Sequence, residues 1–231
     1  MDTKEGKKQN PAKIFWKWLW ESDSWWSYLI FLILVFIIIK LIFLPGLGLI
    51  FGTQLPLAIV ESSSMDHNSL EYCLKAEYYI QNGKTYTQCI EWSNNDYDIC
   101  GEKFSNEKFF NLEDYWQTCG KWYESANITK EQFEKFKFKD GFRKGDIMII
   151  LGKKDFQIGD VIIFEAGRNN PLIHRVISLS SLQTKGDHNN GQLTEEKDIS
   201  QSNIIGVAWG RIPYLGWAKL FVVETLNKIL K

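Results

Sequence analysis

The sequence lacks the features that mark several common protein classes. It has no basic excess, because 27 Lys and Arg residues are offset by 28 Asp and Glu residues, for a formal net charge of -1. It also lacks a basic stripe with interleaved aromatic residues, so nothing indicates a nucleic-acid partner. No C-x-x-C pair is present, which leaves a zinc site weakly supported. We therefore expect neither a metal nor an organic cofactor.

Cysteine is absent outside one segment of the chain. The four cysteines are Cys73, Cys89, Cys100 and Cys119. An even number confined to one segment is typical of two disulfides, whose connectivity the spacing leaves open. Disulfides would place this segment in an oxidising compartment. Four unpaired, partly buried thiols are the alternative.

One long apolar run, residues 27–44, is the main hydrophobic feature. At about 1.5 Å per residue, its length as a helix is close to the hydrocarbon thickness of a bilayer. We expect Pro45 and Gly46 to end this helix, and Lys40 to extend its ammonium towards the interface. A removable signal peptide is the less favoured alternative, because the run is long and no A-x-A cleavage site follows it.

The residues before the run favour an uncleaved, single-pass anchor. Residues 1–12 are polar and predicted to be disordered, whereas residues 13–20 mix aromatics with lysines in a pattern typical of an interfacial helix. Five lysines precede the span, and the positive-inside rule then leaves the N terminus inside and the remainder outside. The sequon Asn127-Ile128-Thr129 fits that orientation.

The rest of the chain predicts a mainly β domain that is interrupted by an insert. Period-two patterns predict strands at 56–60, 145–151, 159–164, 172–180 and 204–209. Gly-Asp pairs before two of these strands indicate turns. The insert contains all the cysteines and a capping box from Thr129 to Gln132 that predicts a helix.

These patterns divide the chain into six segments. The boundaries are 1–26 for the cytoplasmic and interfacial segment, 27–51 for the transmembrane anchor, 52–70 for the first part of the β domain, 71–140 for the insert, 141–212 for the second part of the β domain, and 213–231 for an amphipathic C-terminal helix.

A run of three serines that ends at Ser64 follows the first predicted strand. A Ser-rich turn is the simplest interpretation, since small hydroxyl residues are common where strands end. A nucleophilic serine would need a base to take its proton. His67 and His188 lie in polar turns, whereas His174 lies within a predicted strand. Asp187, at a later turn, is a candidate to orient an imidazole.

Four motifs, taken in order, resemble the type I signal peptidases. They are Ser-Met after a membrane anchor, Gly-Asp-Val-Ile-Ile-Phe, Ile-His-Arg-Val-Ile and Thr-Lys-Gly-Asp. The resemblance is to the archaeal and endoplasmic-reticulum branch, which uses His where bacterial enzymes use Lys, and it covers about residues 25–65 and 141–220. It implies a mostly β fold and serine endopeptidase activity, with Ser64 as nucleophile, His174 as general base and Asp187 as acidic partner.

The resemblance also implies how a substrate binds. Ser62 matches the residue whose side chain helps the Ser64 backbone N–H to bind the oxyanion. An extended precursor segment would add as a strand beside residues 57–61. The residues expected to contact it are Leu57, Ile59 and Glu61. The implied partners are secretory precursors, the lipid bilayer and, as a further candidate, the protein-export channel.

The chain departs from the family pattern in its serine motif, in its acidic motif and in the length of its insert. Ser63 stands where the motif has Gly. Many relatives carry a second Asp where this chain has Leu193, and the acids that follow it are Glu195, Glu196 and Asp198. The alternative to an enzyme is a catalytically inactive, membrane-anchored binding protein that uses the same scaffold or its Cys- and Trp-bearing insert.

Overall fold

The computed structural model describes residues 10–81, 84–153, 155–168 and 170–229. Contacts divide the chain into two compact units, Met1–Ile50 and Phe51–Lys231. The predicted disorder of residues 1–12 falls outside the described residues for positions 1–9, whereas Pro11 and Ala12 belong to the first helix.

The first unit is helical. Helix α1 spans Pro11–Glu21, and α2 spans Trp25–Ile38. The latter continues through a π-helical turn, Ile39–Phe43, into α3, Leu44–Phe51. Together these form a 27-residue helix, Trp25–Phe51, and its most apolar 18-residue window has a mean hydropathy of 2.9. It is long and apolar enough to cross a membrane, although a signal sequence would pass the same test.

The predicted end of this helix at Pro45 is wrong. A proline ring normally clashes with the carbonyl four residues before it. Here the π-helical turn ends two residues before Pro45, and the N–H of Leu44 bonds to the carbonyl of Ile39, five residues back. The wider turn relieves the clash, so the chain stays helical. The helix ends at Phe51, where Gly52 follows with a φ of 66°.

The second unit contains nine strands and three α-helices among its described residues. The strands are β1 Leu57–Ile59, β2 Leu70–Gln81, β3 Lys84–Ile99, β4 Glu102–Phe104, β5 Ile147–Leu151, β6 Val161–Phe164, β7 Leu172–Ser178, β8 Gln183–Lys185 and β9 Ile204–Ile212; the helices are α4 Leu112–Ser125, α5 Lys130–Phe133 and α6 Trp217–Ile229. Six strands form an antiparallel sheet in the order β1-β5-β9-β6-β7-β8, and the others form a second antiparallel sheet, β2-β3-β4. The unit is therefore mainly β.

The Gly-Asp pairs form turns before strands, as predicted. Gly145 and Gly159 have φ values of 90° and 95°, a conformation that glycine adopts without a steric penalty. The carboxylates of Asp146 and Asp160 each accept a hydrogen bond of 3.0 Å from the N–H three residues earlier. Both aspartates are thus structural.

Strand β6 is buried on both faces. Val161 and Ile163 point into one hydrophobic cluster, whereas Ile162 and Phe164 point into another. This alternation follows from the two-residue period of a strand. The first cluster also contains Met65, the residue after the predicted nucleophile. The serine loop is therefore fixed to the core of the sheet.

Two disulfides lie in the insert, in agreement with the prediction. Cys73–Cys89 links β2 to β3, and Cys100–Cys119 links the end of β3 to α4. They indicate an oxidising compartment. The long β2–β3 hairpin itself was not predicted from the sequence.

The helices of the insert share a hydrophobic core with the six-stranded sheet. Tyr115 of α4 and Phe133 of α5 pack in one cluster with Ile177 of β7. The predicted capping box is confirmed, because Thr129 and Gln132 exchange hydrogen bonds at the start of α5. The insert therefore packs directly on the strand that carries the predicted base.

Candidate active site

The fold brings Ser64 and His174 together. Ser64 lies in the turn after β1, and His174 lies within β7, where its side chain is buried. The Ser64 Oγ is 2.8 Å from the His174 Nε2, which is hydrogen-bond distance. Two residues that were singled out from separate motifs thus form one pair.

A buried glutamate occupies the other side of the imidazole. The Nδ1 of His174 lies 2.5 Å from the Oε1 of Glu196. The same carboxylate accepts hydrogen bonds from the Thr184 hydroxyl at 3.0 Å and the Leu193 N–H at 2.7 Å. When the Nδ1–H of His174 donates to Glu196, Nε2 carries no proton. It can then accept a hydrogen bond from the Ser64 hydroxyl.

The predicted contact between Asp187 and the imidazole is wrong, because among the described residues its carboxylate binds other partners. It accepts hydrogen bonds from Arg175 at 2.9 and 2.6 Å and from the Tyr123 hydroxyl at 2.8 Å. The Nε2 of His67 is 2.9 Å away. Burial alone would raise the pKa of Asp187, but the charge of Arg175 and these hydrogen bonds outweigh it and hold the pKa below its ordinary range.

The two-residue period of the strands explains why Glu196 replaces Asp187. His174 and Arg175 are neighbours on β7, so their side chains leave opposite faces. Arg175 pairs with Lys185 of β8, which puts both on one face. Thr184, which binds Glu196, therefore lies on the face of His174, and the acid that it holds meets the imidazole. The following loop carries Asp187 to Arg175 instead.

The backbone of residues 186–188 holds the serine loop. The N–H of His188 donates to the carbonyl of Ser64 at 2.9 Å. A Cβ at Gly186 would lie 2.8 Å from that carbonyl oxygen and 2.9 Å from the Nε2 of His174. These separations are shorter than a side chain tolerates, so this close approach requires glycine.

The residues before the nucleophile form a turn that does not need glycine. Ser63 adopts a negative φ, so the family glycine is not required for its backbone conformation. Its carbonyl accepts a hydrogen bond from the N–H of Asp66 at 3.0 Å. The hydroxyl of Ser62 is 3.2 Å from that of Ser64. Ser62 therefore lies beside Ser64, and its oxyanion role stays a prediction.

Strand β1 is at the edge of the six-stranded sheet in the part of the chain that the structure describes. The backbone groups of Pro56 and Val60 bond towards β5. Since antiparallel pairing alternates along a strand, the N–H and C=O groups of Leu57 and Ile59 point away from β5. They are positioned to bond to an added strand.

A groove of about 260 Å³ runs along this edge. Leu57, Ile59 and Glu61, the residues predicted to contact the substrate, all line it. Ile163 and Ile173 of the β6–β7 hairpin line it as well. The groove is mostly apolar, and β1 leads from it directly to the serine loop. The binding role of these residues stays a prediction.

Three residues of the site region were missed from the sequence. His67, expected in a solvated turn, is buried, and its ring stacks on Tyr115 at a centroid distance of 3.6 Å. Burial lowers the pKa of His67 despite the neighbouring Asp187. Tyr115 and Tyr123 lie at positions i and i+8 of α4, on one face with Cys119, and this spacing was the available signal of a buried helix face.

The chain has no match among protein-family models, curated proteins or solved structures. Within the described ranges, no group of three or more His, Cys, Asp and Glu residues is placed to hold a metal ion. The function of the site therefore has to follow from its own geometry and chemistry.

Proposed function

We propose that the chain is a membrane-anchored serine endopeptidase of the type I signal peptidase kind, which removes signal peptides from secreted precursors after small residues. The observation that carries the proposal is the hydrogen-bonded series Ser64–His174–Glu196 beside the groove along β1. A serine hydroxyl on one imidazole nitrogen and a buried carboxylate on the other is the arrangement of serine hydrolases. The ordered motifs support Ser64 and His174 in these roles, and the contact with His174 supports Glu196 as the acid in place of Asp187.

Acylation follows from this geometry. The Ser64 Oγ attacks the scissile carbonyl while its proton passes to the Nε2 of His174. Glu196 stabilises the imidazolium that forms. The Ser64 N–H and the Ser62 hydroxyl donate to the oxyanion. When the tetrahedral intermediate collapses, the C–N bond breaks, and His174 gives its proton to the leaving amine. The signal peptide remains as an ester on Ser64.

Deacylation repeats the same steps with water. His174 takes a proton from the water that attacks the ester, and the oxyanion forms at the same donors. His174 then returns the proton to the Ser64 Oγ as the ester C–O bond breaks. The signal peptide leaves with a new carboxylate, and the enzyme is restored.

The groove supports a preference for an extended segment with small side chains. A precursor segment adds beside β1 and bonds to the outward backbone groups of Leu57 and Ile59. The groove volume of about 260 Å³ is slightly below the usual range of ligand pockets, roughly 300 to 1,000 Å³. Signal peptides carry small residues of the A-x-A type at their cleavage sites.

The anchor gives the proposed enzyme its location. The helix Trp25–Phe51 is proposed to cross the cell membrane once, with the N terminus inside and the catalytic unit on the extracytoplasmic side. The lysines before it support this orientation, and the two disulfides support an oxidising compartment. Secretory precursors, the bilayer and the protein-export channel are the proposed partners.

A cleavage assay tests this function. The detergent-solubilised full chain is incubated with a precursor, and the product is identified by N-terminal sequencing. Wild-type protein should cleave after a small residue, Ser64→Ala and His174→Ala should abolish cleavage, and Ser180→Ala, at an exposed serine, should cleave normally. Cleavage by none of the proteins across pH and detergent would favour an inactive binding protein on the same scaffold. His174→Ala at the wild-type rate would contradict the assigned base.

A further inference from the structure

Helix α4 of the insert donates two hydrogen bonds to one residue of the catalytic unit. The hydroxyl of Tyr115 donates to the backbone carbonyl of Asp187 at 2.9 Å, and that of Tyr123 donates to its carboxylate at 2.8 Å. Both tyrosines are fully buried. Burial raises the pKa of both phenols well above the ordinary value. They therefore remain neutral donors across the working pH range.

Asp187 connects α4 to the rest of the site. Its carboxylate also binds the buried guanidinium of Arg175, and His67 bonds to it while stacking on Tyr115. A buried charge pair with several further hydrogen bonds has few alternative arrangements. The insert therefore fixes the position of Asp187 as well as contacting it.

The loop that contains Asp187 contacts both catalytic groups. Gly186 packs against the Ser64 carbonyl and the His174 Nε2, and the N–H of His188 donates to the same carbonyl. On its other side, the carbonyl of His188 accepts from the N–H of Cys100 at 2.9 Å. Cys100 is disulfide-bonded to Cys119 of α4. The insert thus holds this loop at two points.

We propose that α4 positions the nucleophile and the base of the reaction, and that Tyr115 and Tyr123 act as positioning residues through Asp187. The proposal rests on the proposed function, and it gives the insert a role in the chemical step. The path from α4 to Ser64 runs through residues 186–188 and bypasses the groove along β1. A change that weakens the contacts of α4 with residues 186–188 should therefore lower kcat and leave KM nearly unchanged.

Phenylalanine variants test the proposal with little change of shape. Tyr115→Phe and Tyr123→Phe each remove one hydroxyl. The matched control, Tyr72→Phe, removes a hydroxyl of β2 that accepts a hydrogen bond from Lys103 of β4. Displacements of about 1 Å in a site can cost roughly a hundredfold in rate. We expect about tenfold lower kcat for each single variant and about a hundredfold for the double variant. KM should stay within about twofold, and the control should match wild type.

A second readout is independent of activity. The proton between His174 Nδ1 and Glu196 should give a far-downfield proton NMR resonance, assigned by its loss in His174→Gln. Tyr123→Phe should shift or broaden it, and Tyr72→Phe should not. Spectra and rates are recorded at a temperature where circular dichroism shows each variant folded. An unchanged resonance in the double variant, with kcat within twofold of wild type, would overturn the positioning role. If the wild type cleaves no precursor, the proposed function fails, and the resonance still tests the positioning.

Discussion

Replacing Glu196 with glutamine tests which acid orients His174. The amide keeps the shape of the side chain but carries no charge to stabilise the imidazolium, and its NH₂ can face Nδ1 and impose the wrong tautomer. The contact is short, 2.5 Å, and both side chains are buried, so solvent screens the lost charge little. Loss of the equivalent charge in serine proteases lowers kcat by about 10⁴. We expect a decrease of about 10³ to 10⁴, or about 4–5 kcal/mol.

The matched control is Asp187→Asn, which makes the same chemical change at the other acid. It leaves the guanidinium of Arg175 buried without its counter-charge, which typically costs about 3–5 kcal/mol of stability. A fluorogenic signal-peptide substrate gives kcat per folded molecule, and thermal unfolding in detergent gives Tm. Glu196→Gln should lose more kcat, and Asp187→Asn should lose more Tm. The role of Glu196 would be refuted if Glu196→Gln kept kcat within tenfold of wild type while Asp187→Asn was inactive with an unchanged Tm.

Two further predictions follow from close packing and burial. Gly186→Ala should lower kcat by at least about a hundredfold, because its Cβ would lie 2.8 Å from the Ser64 carbonyl oxygen. The control Gly191→Ala, whose Cβ would have its nearest neighbour 4.0 Å away, should cleave at the wild-type rate. Equal rates for the two variants would contradict the close packing at Gly186. Burial lowers the pKa of Lys185 to about 8 from 10.5, so between these values the unfolded chain binds more protons than the folded one. Stability relative to Lys185→Met should therefore rise from pH 8 to pH 10 by about 2 kcal/mol, as measured by urea unfolding; a constant difference would argue against the lowered pKa.

Five of the six strands of the larger sheet were predictable because their signals are local, whereas the short strand β8 was not predicted. Turns at Gly145 and Gly159 and the apolar run of β6 can be recognised without knowledge of the fold. The hairpin of β2 and β3 was missed because most of its described side chains are exposed, so it lacks the alternation that identifies a half-buried strand. The continuation of the apolar helix past Pro45 depends on a π-helical turn, for which the sequence has no clear signal.

The acid of the candidate site was not predictable, because long-range register selects it. Three acids follow Leu193, and only the fold distinguishes them. Glu195 binds Arg168 at 2.8–2.9 Å, and Asp198 lies beside Ser181 at 3.4 Å. Glu196 alone of the three reaches the imidazole. Its selection depends on the pairing of β7 with β8, which no short motif encodes.

The most direct test of the central claim is to trap the acyl-enzyme. Wild-type protein is quenched with acid during cleavage of a signal-peptide substrate, digested, and mapped by mass spectrometry. The account predicts that the N-terminal fragment of the substrate is esterified to the peptide that contains Ser64, and that Ser64→Ala yields neither adduct nor cleavage. An adduct on a different residue, or cleavage by Ser64→Ala at the wild-type rate, would contradict it.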